Sequence, residues 1–298
     1  MLSTQFTDEK RIYEVLAQVK SRLRNELSDS GNVVSATRAL SYYSKRAKYA
    51  DSIQGIGFYE SLDRIVAAYE TEKQKLMEKM QEVCSLIFQS QNLLVSVTSD
   101  AAGYAALKEL SVQLTEGLYA DTAKEHVEIS LPEQKNEGFL DASQIQYVSL
   151  AGNFAKGGAS YNGSMRVFRV IMNYEYLWQN IRVKGGAYGC STNIGRNGDV
   201  CFLSYRDPNL GRTLDVYRGV PEYLKNFEID ERGMTRFVIG AFSELDAPLT
   251  PLSQGRRSLL SYLTGVTYEM IQEERQQALH TLSLIHISEP TRPRLISY

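Results

Sequence analysis

The sequence predicts an α+β fold: an antiparallel sheet with helices packed on one face, in one partial and one nearly complete domain. Three observations predict it. The first 120 residues are dominated by helical apolar stripes with a single strand-like interruption. A polar, aperiodic stretch follows over 121–142. Beyond it the pattern runs strand, helix, hairpin, helices. The 298 residues leave room for two domains of ordinary size.

Taken in order, residues 7–28 form an amphipathic helix. Ile12, Leu16, Val19, Leu23 and Leu27 recur at three- and four-residue steps, with Thr7 as N-cap. Residues 32–48 repeat the helical pattern, and Asp51–Gly57 is a loop. From Phe58 to Ser90 two apolar stripes flank the polar Glu70–Lys75, predicting two helices or one bent helix. Asn92–Asp100, rich in Leu and Val, predicts a strand, and Gly103–Tyr119 a helix. Asp121–Phe139 carries Pro132 and Gly138 and has no period, so it reads as a linker.

Ile145–Phe154 predicts a strand, and Met165–Val183 a helix ended by Gly185 and Gly186. Ala187–Ile194 and Val200–Asp207 flank an Asn197-Gly198 turn and predict a hairpin. Pro208–Phe227 is helical with a bend at Pro221. Helices over 230–245 (N-cap Asp230), 253–264 and 268–281 complete the pattern.

Composition removes several classes of function. A net charge of −2 gives no support to nucleic-acid or anionic-membrane binding. No apolar run approaches the roughly 20 residues needed to cross a bilayer. Cys84, Cys190 and Cys201 form no CxxC pair; Cys190 and Cys201 could face each other across the hairpin, but two small apolar side chains in a reducing compartment are the plainer reading. His126, His280 and His286 are scattered, without His-x-x-Glu-His or His-x-x-x-His, so no self-contained zinc site is expected. Cysteine usage and the absence of an apolar leader at the first residues predict a cytoplasmic location, with an organelle matrix as the alternative. Residues 282–298 are out of character; Leu282–Arg292 reads as in-frame translation of a sequencing adapter, which sets His286 aside.

The chemistry concentrates in Asn180–Gly189, NIRVKGGAYG. Arg182 at a helix C-terminus complements the helix dipole, and Tyr188 suits a strand start; those are the plain readings. The sharper one uses Gly185 and Gly186, which tolerate positive φ and close backbone approach. A guanidinium and a phenol on either side of them could donate to one carbonyl oxygen. The stretch holds no nucleophile, base or metal ligand, so it could assist peptide-bond hydrolysis without performing it. Gly152–Gly158 and Lys184–Gly189 lack the Gly-Lys-Ser/Thr of a phosphate loop. Arg206 and Asp207 in SYRDPNL read as an ion pair or a helix entry, with Asp207 or Asn209 capping.

Three runs, YEYLWQNIRVKGGAYG (174–189), SYRDPNL (204–210) and DAPLTPLSQGRRS (246–258), resemble the insulinase (pitrilysin) family of zinc metallopeptidases, in its presequence-protease branch. The resemblance covers about residues 1–281. It implies a metallohydrolase fold of the mitochondrial-processing-peptidase type, repeated four times in two halves that close around a chamber admitting unfolded peptides. It places residues 1–120 at the end of the third domain, 121–142 in a linker and 143–281 in the fourth, truncated. It implies that Arg182 and Tyr188 contact the substrate near the scissile carbonyl. Zinc and the general base would belong to a missing N-terminal half, so this chain alone is expected to be inactive and to bind no zinc. The partners implied are peptide substrates and that N-terminal half. The alternative is a non-catalytic scaffold or chamber-wall subunit of the same family.

Overall fold

The computed structural model describes residues 5–110, 113, 115–123, 127–140 and 144–281. His126, His286 and the adapter-like tail lie outside the described residues. The chain separates into two compact units, made of the described parts of Met1–Ser21, Ser61–Glu128 and Pro248–Thr267, and of Arg22–Glu60, Ile129–Ala247 and Tyr268–Tyr298.

Helices α1 (Glu9–Asp29), α2 (Gly31–Leu40), α3 (Lys45–Gln54), α4 (Ile56–Ala67), α5 (Tyr69–Ile87) and α6 (Ala101–Leu110) open the chain. Asp8, one residue beyond the expected Thr7, accepts the Arg11 N–H and starts α1. The expected helix over 32–48 is two helices, the second entered through Ser44, whose hydroxyl accepts the Ala47 N–H. The first residues of the expected loop at Asp51–Gly57 belong to α3, and the loop shrinks to Gly55.

In the first unit, Tyr69 packs its ring on Tyr13 at 5.1 Å and donates its hydroxyl to the Glu9 carbonyl at 2.5 Å. The expected strand at Asn92–Asp100 is not one. The backbone there runs without a ladder, and Leu93, Leu94, Val95 and Val97 are exposed. A strand needs a partner edge as well as β-forming residues, and none pairs with this segment among the described residues. Thr98 instead packs on α11 (Pro251–Thr264) at Gly255, where a Cβ would collide with its hydroxyl.

The second unit holds the sheet: β1 (Ser149–Asn153), β2 (Gly189–Ile194) and β3 (Asp199–Tyr205), antiparallel in the order β1-β3-β2. The hairpin forms as expected, with Gly198 at φ +88° in its turn. Period-two alternation divides the strands between two faces. Val148, Leu150, Phe202, Cys190 and Ile194 face the main core. That core is built with α7 (Ser164–Ile171), the segment Met172–Val183, α8 (Gly211–Arg218), α9 (Val220–Lys225), α10 (Glu231–Leu245) and α12 (Tyr268–Leu279). The break before α9 falls at Gly219, and Pro221 sits in the first turn, where its missing N–H costs nothing. Asp230 caps α10 through the Gly233 N–H.

Ala151, Cys201 and Leu203 face the other way, onto Ala36 and Leu40 of α2, and Ser149 shares a 2.8 Å hydrogen bond with Ser35. A helix therefore covers part of the second face too. The same alternation separates the two cysteines: Cys190 lies opposite Ser204 and Cys201 opposite Asn193, on different faces, so they do not meet across the hairpin.

Candidate functional site

The site begins in Met172–Val183, where the helix of α7 continues in π winding with i→i+5 hydrogen bonds. Regular helical spacing puts Tyr174 and Trp178 on the core stripe with Leu177 and Ile181. The π winding buries Leu177 and Ile181 and turns Tyr174 and Trp178 toward solvent. Arg182, four residues after Trp178, lays its guanidinium 4.2 Å from the Trp178 ring centroid.

The diglycine then reverses the chain, and each glycine has its own reason. Gly186 takes φ +80°, a left-handed conformation that side chains resist. A Cβ on Gly185 would collide with the Ile181 carbonyl oxygen. The Gly186 N–H donates to the Arg182 carbonyl at 2.9 Å and the Ala187 N–H to that of Ile181 at 3.1 Å, closing the helix end. Tyr188 follows, its N–H donating to the carbonyls of Tyr205 at 3.0 Å and Arg206 at 3.3 Å.

Arg182 and Tyr188 come together: the guanidinium lies 5.6 Å from the phenol ring centroid. The Tyr188 ring is 66% exposed and rests its edge on Tyr205 at 5.8 Å. Among the described residues, Arg182 has no carboxylate within ion-pair distance, and neither its guanidinium nor the Tyr188 hydroxyl donates to a protein acceptor. Both keep their donors for something else.

SYRDPNL supports this turn in a way the sequence did not disclose. Asp207 is fully buried; its carboxylate accepts the Asn209 N–H at 2.9 Å and the Thr213 hydroxyl at 2.7 Å. That is a helix entry, not an ion pair. Asn209 in turn donates its amide to the Gly185 carbonyl at 2.6 Å, locking the diglycine. The signal available in the sequence was only an Asp-x-Asn pair beside a proline.

Cys190 lies close enough to Arg182 to feel its charge. Burial pushes its thiol up to about 11 against the pull of the Arg182 charge, so it stays protonated at neutral pH and is no nucleophile. Among the described residues no three His, Cys, Asp or Glu converge as a metal site. His280 is engaged with the Gln276 carbonyl. What the arrangement can do is hold an acceptor oxygen and polarise it.

An α+β unit carrying this motif is similar to the C-terminal part of a class of peptidases. Residues 136–284 match the PreP C-terminal domain, and residues 1–65 match a domain described as peptidase associated. The chain belongs to the insulinase family, in its presequence-protease branch. It is 34% identical over 278 residues to Protein HypA of Clostridium perfringens, covering 93% of this chain and 28% of that protein. Presequence protease 1, chloroplastic/mitochondrial, of Arabidopsis thaliana is 28% identical over 280 residues (93% and 26%). The mitochondrial presequence protease of Danio rerio is 25% identical over 300 residues (92% and 29%). The chain spans a little over a quarter of the length of these relatives. No helix among the described residues is long and apolar enough to cross a membrane.

Proposed function

We propose that this chain is the substrate-binding C-terminal half of a zinc-dependent oligopeptidase that degrades unfolded peptides in a closed chamber. Arg182 and Tyr188 donate hydrogen bonds to the carbonyl oxygen of the bond to be cut. The observation that carries this reading is their pairing: a half-buried guanidinium 5.6 Å from the ring centroid of an exposed tyrosine, neither with a protein acceptor among the described residues. The supports are local and rigid. Trp178 backs the guanidinium, β3 pins the Tyr188 backbone, and Asn209 fixes the turn between them. A donor aimed at a developing oxyanion is worth about 3 kcal/mol.

Water activation is not a step these residues perform. In this reading zinc and the base lie in an N-terminal half, and closure of the two halves completes the site. Residues 1–120 then close a third domain, 121–142 link, and 143–281 supply most of a fourth. The Arabidopsis and Danio relatives are named as chloroplastic or mitochondrial, which favours an organelle matrix over the cytoplasm for a protein of this type.

The test joins the chain to an N-terminal half from the same gene and compares peptide cleavage by the wild type and Tyr188→Phe. The expected result is a loss of about 100-fold in kcat with KM nearly unchanged. Equal activity in the two proteins removes the proposed role of Tyr188. No cleavage by the joined wild type, with peptide still bound, favours the scaffold or chamber-wall reading.

A further inference from the structure

Beside the donor pair stands a second guanidinium that the proposed chemistry does not use. Arg206 is the one non-glycine residue at positive φ among the described residues, at +49°. Such conformations persist only where the surroundings enforce them, and they gather at binding sites. Here the enforcement is visible. Asp207 and Gln146 exchange backbone hydrogen bonds at 2.9 and 3.2 Å, the Asp207 carboxylate is buried in its own bonds, and the Arg206 carbonyl accepts from Tyr188.

The kink has a consequence for the side chain. In a regular strand residues 205 and 206 point to opposite faces. At Arg206 the alternation is broken, and its guanidinium lies 5.5 Å from the ring centroid of its own neighbour Tyr205. The Tyr205 ring is itself held from two sides, by Tyr188 at 5.8 Å and Tyr147 at 5.6 Å. Tyr147 is fixed in turn: its hydroxyl donates to the Ser28 carbonyl at 3.1 Å, and its ring fills the space where a Cβ on Gly31 would sit.

The result is an ordered row, Trp178, Arg182, Tyr188, Tyr205, Arg206, with rings and guanidinium groups in van der Waals-scale steps. Arg206 is exposed and, like Arg182, has no ion-pair partner among the described residues. Steps of 5.6, 5.8 and 5.5 Å keep the two guanidinium groups no more than about 17 Å apart, a separation that at most about five extended peptide residues span. We propose that Arg206, oriented by the Tyr205 ring, is a specificity residue that takes a carboxylate of the bound peptide, a few residues from the carbonyl held by Arg182 and Tyr188. This rests on the peptide-binding reading above. A guanidinium held against a ring has less freedom to turn, and its fork of donors matches a carboxylate bidentately. The carboxylate comes either from an Asp or Glu side chain or from the peptide C-terminus.

The experiment measures binding of fluorescein-labelled decapeptides to the 298-residue chain by anisotropy. Four peptides share one sequence and differ in a single Glu or Gln and in a free or amidated C-terminus. Arg206→Gln is expected to weaken about tenfold the two peptides that carry the recognised carboxylate and to leave the Gln, amidated peptide unchanged. Whichever pair responds names the source of the carboxylate. Arg206→Asn, which tolerates positive φ, should behave alike, with wild-type circular dichroism. Arg182→Gln should weaken all four peptides to the same degree. If both Arg206 variants weaken neutral and acidic peptides equally, or change none, the Arg206 assignment is wrong while the Arg182 site stands. If the wild type binds no peptide, or Arg182→Gln changes nothing, the peptide-binding reading fails and takes this one with it.

Discussion

Arg38 and Arg182 are both arginines laid over two aromatic rings, and they do opposite things. Arg38 lies 6.0 Å from the Tyr42 centroid and 5.7 Å from that of Phe139. Its Nε and Nη2 grip Glu137 bidentately at 2.7 and 2.9 Å, and Nη1 donates to Asp51 at 3.0 Å. Asp51 is fully buried, accepts the Gly57 N–H as well, and has Gly55 and Gly57 against it, with no room for a Cβ at either. Every donor of Arg38 that faces the protein is answered by the protein. Arg182 has a similar aromatic bed and no carboxylate within ion-pair distance among the described residues. A saturated guanidinium ties the linker residue Glu137 to α2 and α3; an unsaturated one is left to meet a ligand. The difference lies in what surrounds the charge, not in the residue type.

The largest expected effect tests the saturated side. Arg38→Met keeps the volume and strands two carboxylates, one wholly buried, so unfolding in urea should show a loss of about 3 kcal/mol. A loss under about 1 kcal/mol would mean that the clasp is ornamental and the contrast with Arg182 empty. Next comes pH. The Arg38 hydrogen bonds hold Glu137 down at about 2, against an ordinary 4.5. A carboxylate lowered on folding stabilises the folded chain fully above 4.5, and that stabilisation fades as pH falls from there toward 2. Glu137→Gln should be less stable than wild type at pH 7 by about 1–2 kcal/mol, and the gap should close across pH 4.5 to 2. A gap that stays constant over that window removes the ionic part of the clasp.

Neither the Arg38 clasp nor the Asn209–Gly185 bond was legible in the sequence, and the reason is separation. Arg38 meets partners 13 and 99 residues away, and Asn209 meets Gly185 from 24 residues downstream. Such pairs leave no local period. What was legible had a local cause. The hairpin shows in the alternation around Asn197-Gly198, the end of the helix in the diglycine, and the Arg182–Tyr188 pair in a motif whose two members straddle that turn. Two of the expectations that failed show why. Asn92–Asp100 has strand-forming residues but no edge to pair with among the described residues. Trp178 leaves the core stripe because the winding changes from α to π, which residue spacing alone does not announce.

The remaining predictions weigh the unsaturated side. At Arg206 the backbone carries the cost, since left-handed φ disfavours a residue with a Cβ by about 1–2 kcal/mol. Arg206→Gly removes that strain but adds freedom to the unfolded chain, so stability should rise by about 0.5 kcal/mol. Arg206→Val, branched at Cβ, should lose about 1 kcal/mol, and thermal melts distinguish the pair. Equal melts for Gly and Val would mean that the kink relaxes when the guanidinium goes.

Arg182→Met should change stability least, by no more than about 0.5 kcal/mol. Methionine keeps contact with the Trp178 and Tyr188 rings, and no buried carboxylate loses its partner. The same substitution should weaken peptide binding, as Arg182→Gln does, because the guanidinium donors are gone. Arg38→Met should do the reverse, lowering the unfolding midpoint while the folded fraction binds peptide with wild-type affinity. A crossed result, with Arg182→Met unfolding the chain and leaving binding intact, would show that the Arg182 guanidinium works as a structural residue and that its open donors are incidental. The two substitutions remove the same group, so any difference between them comes from the surroundings alone.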